Sequence, residues 1–257
     1  MDIMEEGMKI VWKKQMANTQ GIMSLYDDHP LADAWTTPHE AIRSGYYIDD
    51  GSCQVQCQSR ISLVQGGMQH PAWIYRIMKG ESLPGEFGCQ IRKKGYSVAW
   101  ITLSDKGARG ERKDTSGPTI VEVIQEKIAL SFSLGVVIPD EPDLLRSTLM
   151  DMCLFQGFDF VFTTGGTGVS PRDITPNVTS PLLDLRLEGF ERAMTMASMA
   201  KTPHGMISRA VAGTLGQSIV VNLPGSPKAV RENMTVLLPA LQHTIHKLHG
   251  DTSDCGR

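Results

Sequence analysis

Four short apolar runs, each followed by a stretch of helical spacing, constrain this chain more than any other feature. They are residues 97–103 (SVAWITL), 134–138 (LGVVI), 158–163 (FDFVFT) and 218–223 (SIVVNL). Apolar runs of this length read as strands buried on both faces. Ser116-Gly117-Pro118 opens a segment, 118–130, in which Ile120, Val121, Ile124 and Ile128 share one helical face. Residues 142–156, 188–200 and 227–248 have helical character as well. Strands alternating with helices imply an α/β fold: three layers, a mostly parallel sheet, helices on both faces. Ligands of such sheets bind beyond the carboxyl ends of the strands. Ser104-Asp105, Pro139-Asp140-Glu141, Thr164–Asp173 and Pro224-Gly225-Ser226 are therefore expected to meet in space.

The chain changes character near residue 95. Upstream, patterning is weak and turn residues are frequent, among them Asp49-Asp50-Gly51, Gly66-Gly67 and Pro84-Gly85. Strands are expected at 53–64 and 73–78. The expected division is a small, partly β amino-terminal segment at 1–94, an α/β domain at 95–250 and a tail at 251–257.

Composition limits what the domain can bind. The formal net charge is −3 and aromatics are 6% of residues, so neither a basic field nor a stacking surface attracts nucleic acid. No apolar run is long enough to span a membrane. The first 15 residues carry two Glu and an Asp and do not read as a secretory signal. Five cysteines, an odd number, fit reduced thiols, and a cytoplasmic location is expected. An anion must then be bound locally, by backbone amides, a few cations or a metal.

Gly165-Gly166-Thr167-Gly168 follows a buried strand. Glycines there let the backbone approach a ligand and aim its N–H groups at an anion. Thr164, Thr167 and Ser170 add hydroxyl donors. No Gly-Lys-Ser/Thr follows, so this is not a P-loop. The plain alternative is a tight turn that only needs glycine. Asp140 and Asp173 each follow a strand, and two carboxylates beside a polyphosphate suit Mg²⁺. The alternatives are that Asp140 caps the helix near 142 and that Asp173 pairs with Arg172 or caps its own turn. Asp105, Asp114, Ser116 and Gly117 surround the loop after the first strand, as ligand contacts or as loop hydrogen bonds. Asn222-Leu223-Pro224-Gly225-Ser226-Pro227-Lys228 exposes backbone groups and one cation.

Taken in order, Ser104-Asp105, Asp114-Thr115-Ser116-Gly117, Ile138-Pro139-Asp140-Glu141, Thr163–Gly168, Pro171-Arg172-Asp173-Ile174-Thr175-Pro176, Ser208-Arg209 and Asn222–Lys228 resemble the molybdopterin adenylyltransferase family. That family includes MogA, MoaB and the gephyrin G domain, and the resemblance covers residues 96–249. It implies a homotrimer that adenylylates molybdopterin with ATP and Mg²⁺, releasing pyrophosphate. The product would pass to a molybdate-insertion enzyme. The resemblance further implies that Asp140 and Asp173 are the two functional aspartates. It gives the GGTG loop and Ser170 to molybdopterin phosphate or nucleotide, and the Pro224-Gly225-Ser226 turn to nucleotide. One departure is Asn177, where an acidic residue is common. The alternative function is a module that binds molybdopterin without turnover. An insertion enzyme of the MoeA type shares the domain, but its extra domains are absent here. Residues 1–94 lie outside the resemblance. The segment Cys53–Gln90 is similar to the end of a MOSC domain but too short for a whole one, and is expected to be a structural or protein-contact appendage.

Overall fold

The computed structural model describes residues 2–3, 8–25, 28–37 and 42–252, so Cys255 and most of the tail lie outside the described residues. The chain divides into two compact units, Met1–Tyr96 and Ser97–Arg257.

The first unit is built on strands β1 (Asp2–Ile3), β2 (Lys9–Trp12), β3 (Met16–Ala17), β4 (Gln20–Leu25), β5 (Ala34–Thr36), β6 (Tyr47–Asp49), β7 (Cys53–Gln65), β8 (Met68–Ser82), β9 (Gly85–Gly88) and β10 (Gln90–Arg92). It is far richer in β-structure than its sequence patterning suggests. The strands run β1-β10-β6-β7-β8-β4-β5-β2-β9 across one sheet, with β3 against β8. The hairpin β7–β8 turns at Gly66-Gly67, both at positive φ (57° and 81°), as a two-residue hairpin loop requires. Ile10, Trp12, Val55, Trp73, Tyr75 and Ile91 share its core. Cys53, Cys57 and Cys89 are free and buried in it, and burial pushes all three thiols up. They fit the reading of reduced, unreactive cysteines.

The second unit contains β11 (Tyr96–Leu103), α1 (Asp105–Ala108), α2 (Ser116–Gln125), β12 (Leu130–Ile138), α3 (Pro142–Met150), β13 (Phe160–Thr164), α4 (Thr175–Thr179), β14 (Leu185–Arg186), α5 (Glu188–Met199), β15 (Ala212–Leu215), β16 (Ser218–Leu223) and α6 (Pro227–Leu248). Its sheet has the order β12-β11-β13-β16-β15-β14. The central pairs β11/β13 and β13/β16 are parallel, while β15 and β14 extend the sheet antiparallel. Ala99, Ile101 and Leu103 of β11 pack with Leu145, Leu149 and Val178 from α3 and α4 on one face. On the other face α6 packs against α2 and α5. The helix expected at 142–156 stops as α-helix at Met150 and continues as one π-helical turn, Asp151–Phe155.

One buried polar residue ties the layers together. Asn222 is fully buried, and its Nδ2 donates to Thr163 Oγ1 at 2.9 Å and Thr179 Oγ1 at 3.0 Å. Truncating it strands two hydroxyls in the interior. Asn222→Ala is expected to lose about 1–3 kcal/mol of stability in denaturant unfolding; unchanged stability would show that the hydroxyls find other partners.

Candidate active site

Strand register brings the carboxyl ends together. Thr102 of β11 lies opposite Thr164 of β13, which lies opposite Leu223 of β16. The loops that follow are then stitched by hydrogen bonds. Gly165 N donates to Leu223 O at 3.1 Å, and Ser104 N donates to Ile138 O at 2.9 Å. Thr164 Oγ1 donates to Pro224 O at 2.7 Å, and Ser116 Oγ donates to Gly225 O at 2.8 Å. The meeting expected from strand order is what the fold contains.

The glycines at this junction have separate reasons. Gly165 and Gly166 sit at φ 99° and 63°, a region that L side chains rarely adopt. A Cβ on Gly165 would lie 2.7 Å from Leu103 O, and one on Gly166 2.5 Å from Thr175 Oγ1. Thr175 also anchors the loop, with Oγ1 donating to Gly165 O at 2.8 Å and its N–H to Gly166 O at 3.0 Å. A Cβ on Gly225 would stand 3.3 Å from Gly165 Cα. The two turns pass each other at backbone contact.

Both candidate aspartates face this loop. Asp140 Oδ1 lies 3.6 Å from where a Cβ of Gly166 would be, and Asp173 Oδ2 lies 2.8 Å from that of Gly168. Asp173 Oδ2 accepts from Ser170 N at 2.8 Å, so it does cap its own turn. Arg172, the other partner considered for Asp173, pairs with Asp105 instead. Asp140 is not the cap of α3. Glu141 holds that position and no side chain caps the helix. Asp140 N donates to Asp105 Oδ1 at 3.2 Å.

The carboxylates are shifted in opposite directions. Burial, then the charge of Asp105, hold Asp140 above the usual carboxylate range. Asp105 is held below it, first by the Asp140 N–H and then by Arg172.

The remaining sequence candidates divide by use. Asp114 is fully engaged in structure. Its Oδ2 accepts from Thr102 Oγ1 at 2.8 Å and Trp100 Nε1 at 3.2 Å, and its Oδ1 accepts from Ser116 N and Gly117 N at 3.0 and 3.1 Å. Gly117 is where the Trp100 indole passes, with Nε1 only 1.9 Å from a would-be Cβ. Ser104 caps α1 through Gly107 N at 3.0 Å, and Ser226 caps α6 through Ala229 N at 3.2 Å. Thr167 is buried and its carbonyl accepts from Arg209 N at 2.9 Å.

Two hollows flank the loop. One, of about 600 Å³, is lined by Pro142, Arg146, Ser170, Asp173, Asn177 and Arg209 among others. The other, of about 150 Å³, is lined by Thr102, Ser104, Arg112, Lys113, Asp114, Thr164 and Gly225 among others. Arg112, Lys113 and Arg146 are cations that sequence reasoning did not single out, and Arg209 entered there only as part of the resemblance, without a role. Arg112 and Lys113 stand immediately before Asp114 in the same loop, a signal that was readable. Arg209 is remote in sequence from everything it touches.

A sequence family described as "Probable molybdopterin binding domain" matches residues 99–243. The chain belongs to this family. The match falls within the second unit. Gephyrin of Dictyostelium discoideum is 39% identical over 163 residues, 60% of this chain and 23% of that protein. The chain thus spans about a quarter of gephyrin's length. Molybdopterin adenylyltransferase of Helicobacter pylori is 37% identical over 156 residues, 60% of this chain and 88% of that enzyme. The crystal structure of the molybdopterin biosynthesis enzyme MoaB from Thermus thermophilus superimposes with a TM-score of 0.56 at 39% identity, covering 61% of this chain and 98% of that one. Molybdopterin-binding domains of this kind share the α/β fold described here. No described helix is long and apolar enough to cross a membrane.

Proposed function

We propose that this molybdopterin-binding domain is a molybdopterin adenylyltransferase acting in molybdenum cofactor biosynthesis. The observation that carries the reading is the convergence of Asp140 and Asp173 on a close-packed glycine loop at the ends of parallel strands. In the reaction, an oxygen of the pterin's terminal phosphate attacks the α-phosphorus of ATP. A P–O bond forms to the pterin phosphate and the bond to pyrophosphate breaks. No protein nucleophile is needed, so the domain contributes position and charge complementarity.

The backbone amides at Gly166–Gly168 would donate to phosphate oxygens, with Ser170 beside them. Ser104, Thr164 and the Pro224-Gly225-Ser226 turn would line the nucleotide side, and Arg112 and Lys113 would offset phosphate charge. Asp140 and Asp173 are hard oxygen donors and suit Mg²⁺, which takes few protein ligands and fills its shell with water and phosphate. When bound, the ion would neutralise charge on the leaving pyrophosphate.

A homotrimer and a cytoplasmic location are proposed on the family resemblance. Met196, Met199, Met206 and Ile207, on α5 and the turn after it, expose apolar surface suited to subunit contact. Light scattering at micromolar concentration is expected to give three copies, and a monomer would count against it. The first unit is proposed to be an appendage, and the product is proposed to pass to a molybdate-insertion enzyme. The functional test is pyrophosphate release from MgATP that requires molybdopterin. Binding of the pterin without release would favour a non-catalytic module.

A further inference from the structure

Arg209, to which the sequence assigned no role, makes four hydrogen bonds to the segment that carries Ser170 and Asp173. Its Nε donates to Gly168 O at 2.6 Å, one terminal nitrogen to Asp173 O at 2.5 Å and the other to Asn177 Oδ1 at 2.6 Å. Its backbone N–H donates to Thr167 O at 2.9 Å. These bonds grip both ends of the segment between Thr167 and Asn177, which carries Ser170 and Asp173. Arg209 itself precedes β15, whose pairing with β16 fixes it to the sheet.

We infer that Arg209 is a positioning residue that holds the Gly168–Asp173 loop in the shape that places the Asp173 carboxylate. The guanidinium is suited to this because its donors diverge in one rigid plane. Three acceptors in three directions are satisfied at once. A lysine ammonium on a flexible stem cannot match that fork. All three acceptors are neutral oxygens, and among the described residues no carboxylate is in ion-pair contact with Arg209. The positive charge stays on the wall of the 600 Å³ hollow next to Asp173 and Arg146. Asn177 matters here. An acid at that position would pair with Arg209, whereas the amide leaves the charge available to an anionic substrate.

The consequence for catalysis rests on the adenylyl-transfer reading; the consequence for the loop does not. The full-length Arg209→Ala and Arg209→Lys proteins are therefore compared with wild type in two measurements. In amide hydrogen exchange, faster exchange confined to about residues 166–177 is expected in both variants, with far-UV circular dichroism unchanged. In molybdopterin-dependent pyrophosphate release, kcat/KM should fall roughly 10- to 100-fold, the range for residues that orient ligands indirectly. The Mg²⁺ concentration for half-maximal rate should rise, and added guanidinium should restore part of the Arg209→Ala rate. A purely structural role would not produce that recovery. Should Arg209→Ala not fold, Arg209→Lys decides alone. Unchanged exchange in the loop, or an unchanged Mg²⁺ dependence, overturns the inference. A wild-type protein that releases no pyrophosphate overturns only the functional reading, and the exchange measurement then decides the role of Arg209.

Discussion

Asp140→Asn is expected to abolish most adenylyl transfer while leaving the protein at least as stable as wild type. The expected activity loss is on the order of 10²-fold or more, the scale for removing one charged group that acts on a developing phosphate charge. The stability side follows from the sign of the shift. The Asp140 carboxyl is raised by burial and by Asp105, so the folded protein binds its proton more tightly than the unfolded chain does. That favours folding at pH below the ordinary carboxylate value and is lost as pH rises through the raised one. At neutral pH the ionised group is therefore a cost to the apo fold, and an uncharged isostere removes it. The same shift makes a pH prediction for the wild type. In the metal-free protein, the Asp140 carboxyl followed by NMR should titrate at a higher pH than an ordinary aspartate. Asp173→Asn should also lose activity, but its carboxylate holds Ser170 N, so the loop loses some order as well. A fully active, equally stable Asp140→Asn protein would remove this aspartate from the site.

Gly165→Ala carries the largest expected structural effect. Gly165 has φ 99°, and a Cβ would fall 2.7 Å from the Leu103 carbonyl oxygen, a backbone atom with no rotamer to yield. Strain and overpacking together should cost about 2–4 kcal/mol, lowering the melting temperature of the second unit by roughly 5–10 °C. Gly166→Ala is the control. Its φ of 63° is nearer than the 99° of Gly165 to the small left-handed region open to L residues, and the atom it would meet is Thr175 Oγ1, a side-chain atom. Rotating that hydroxyl away gives up its bond to Gly165 O, so a smaller loss is expected. Thermal melts should rank Gly165→Ala below Gly166→Ala below wild type. The reverse order would contradict the close packing described for the loop.

These effects depend on features whose visibility in the sequence differed for physical reasons. The central strands were legible because a strand buried on both faces must be apolar throughout. Helix α2 was legible from one-sided spacing, and α5 and α6 as helical stretches. Strands β14 and β15 were not. Leu185-Arg186 is too short to show a period, and Ala212–Leu215 (AGTL) contains small and polar residues whose burial comes from neighbouring layers. In the first unit the strands expected at 53–64 and 73–78 are the hairpin β7–β8, while most of the others are only two to four residues long and too short to show a period. In the site, Asp140, Asp173 and the glycine loop stood out because local spacing after a strand places them. The Arg172–Asp105 pair and the Arg209 clamp join positions 67 and 41 residues apart, and no local pattern announces them.

The convergence of two aspartates and a glycine loop is proposed to perform adenylyl transfer to molybdopterin. Its most direct test is mass spectrometry of molybdopterin after incubation with full-length protein, ATP and Mg²⁺. The expected product is a pterin heavier by one adenylyl group, formed together with pyrophosphate and missing when Asp140→Asn replaces the wild type. Recovery of unmodified molybdopterin beside intact ATP, with the pterin bound to the protein, would contradict it.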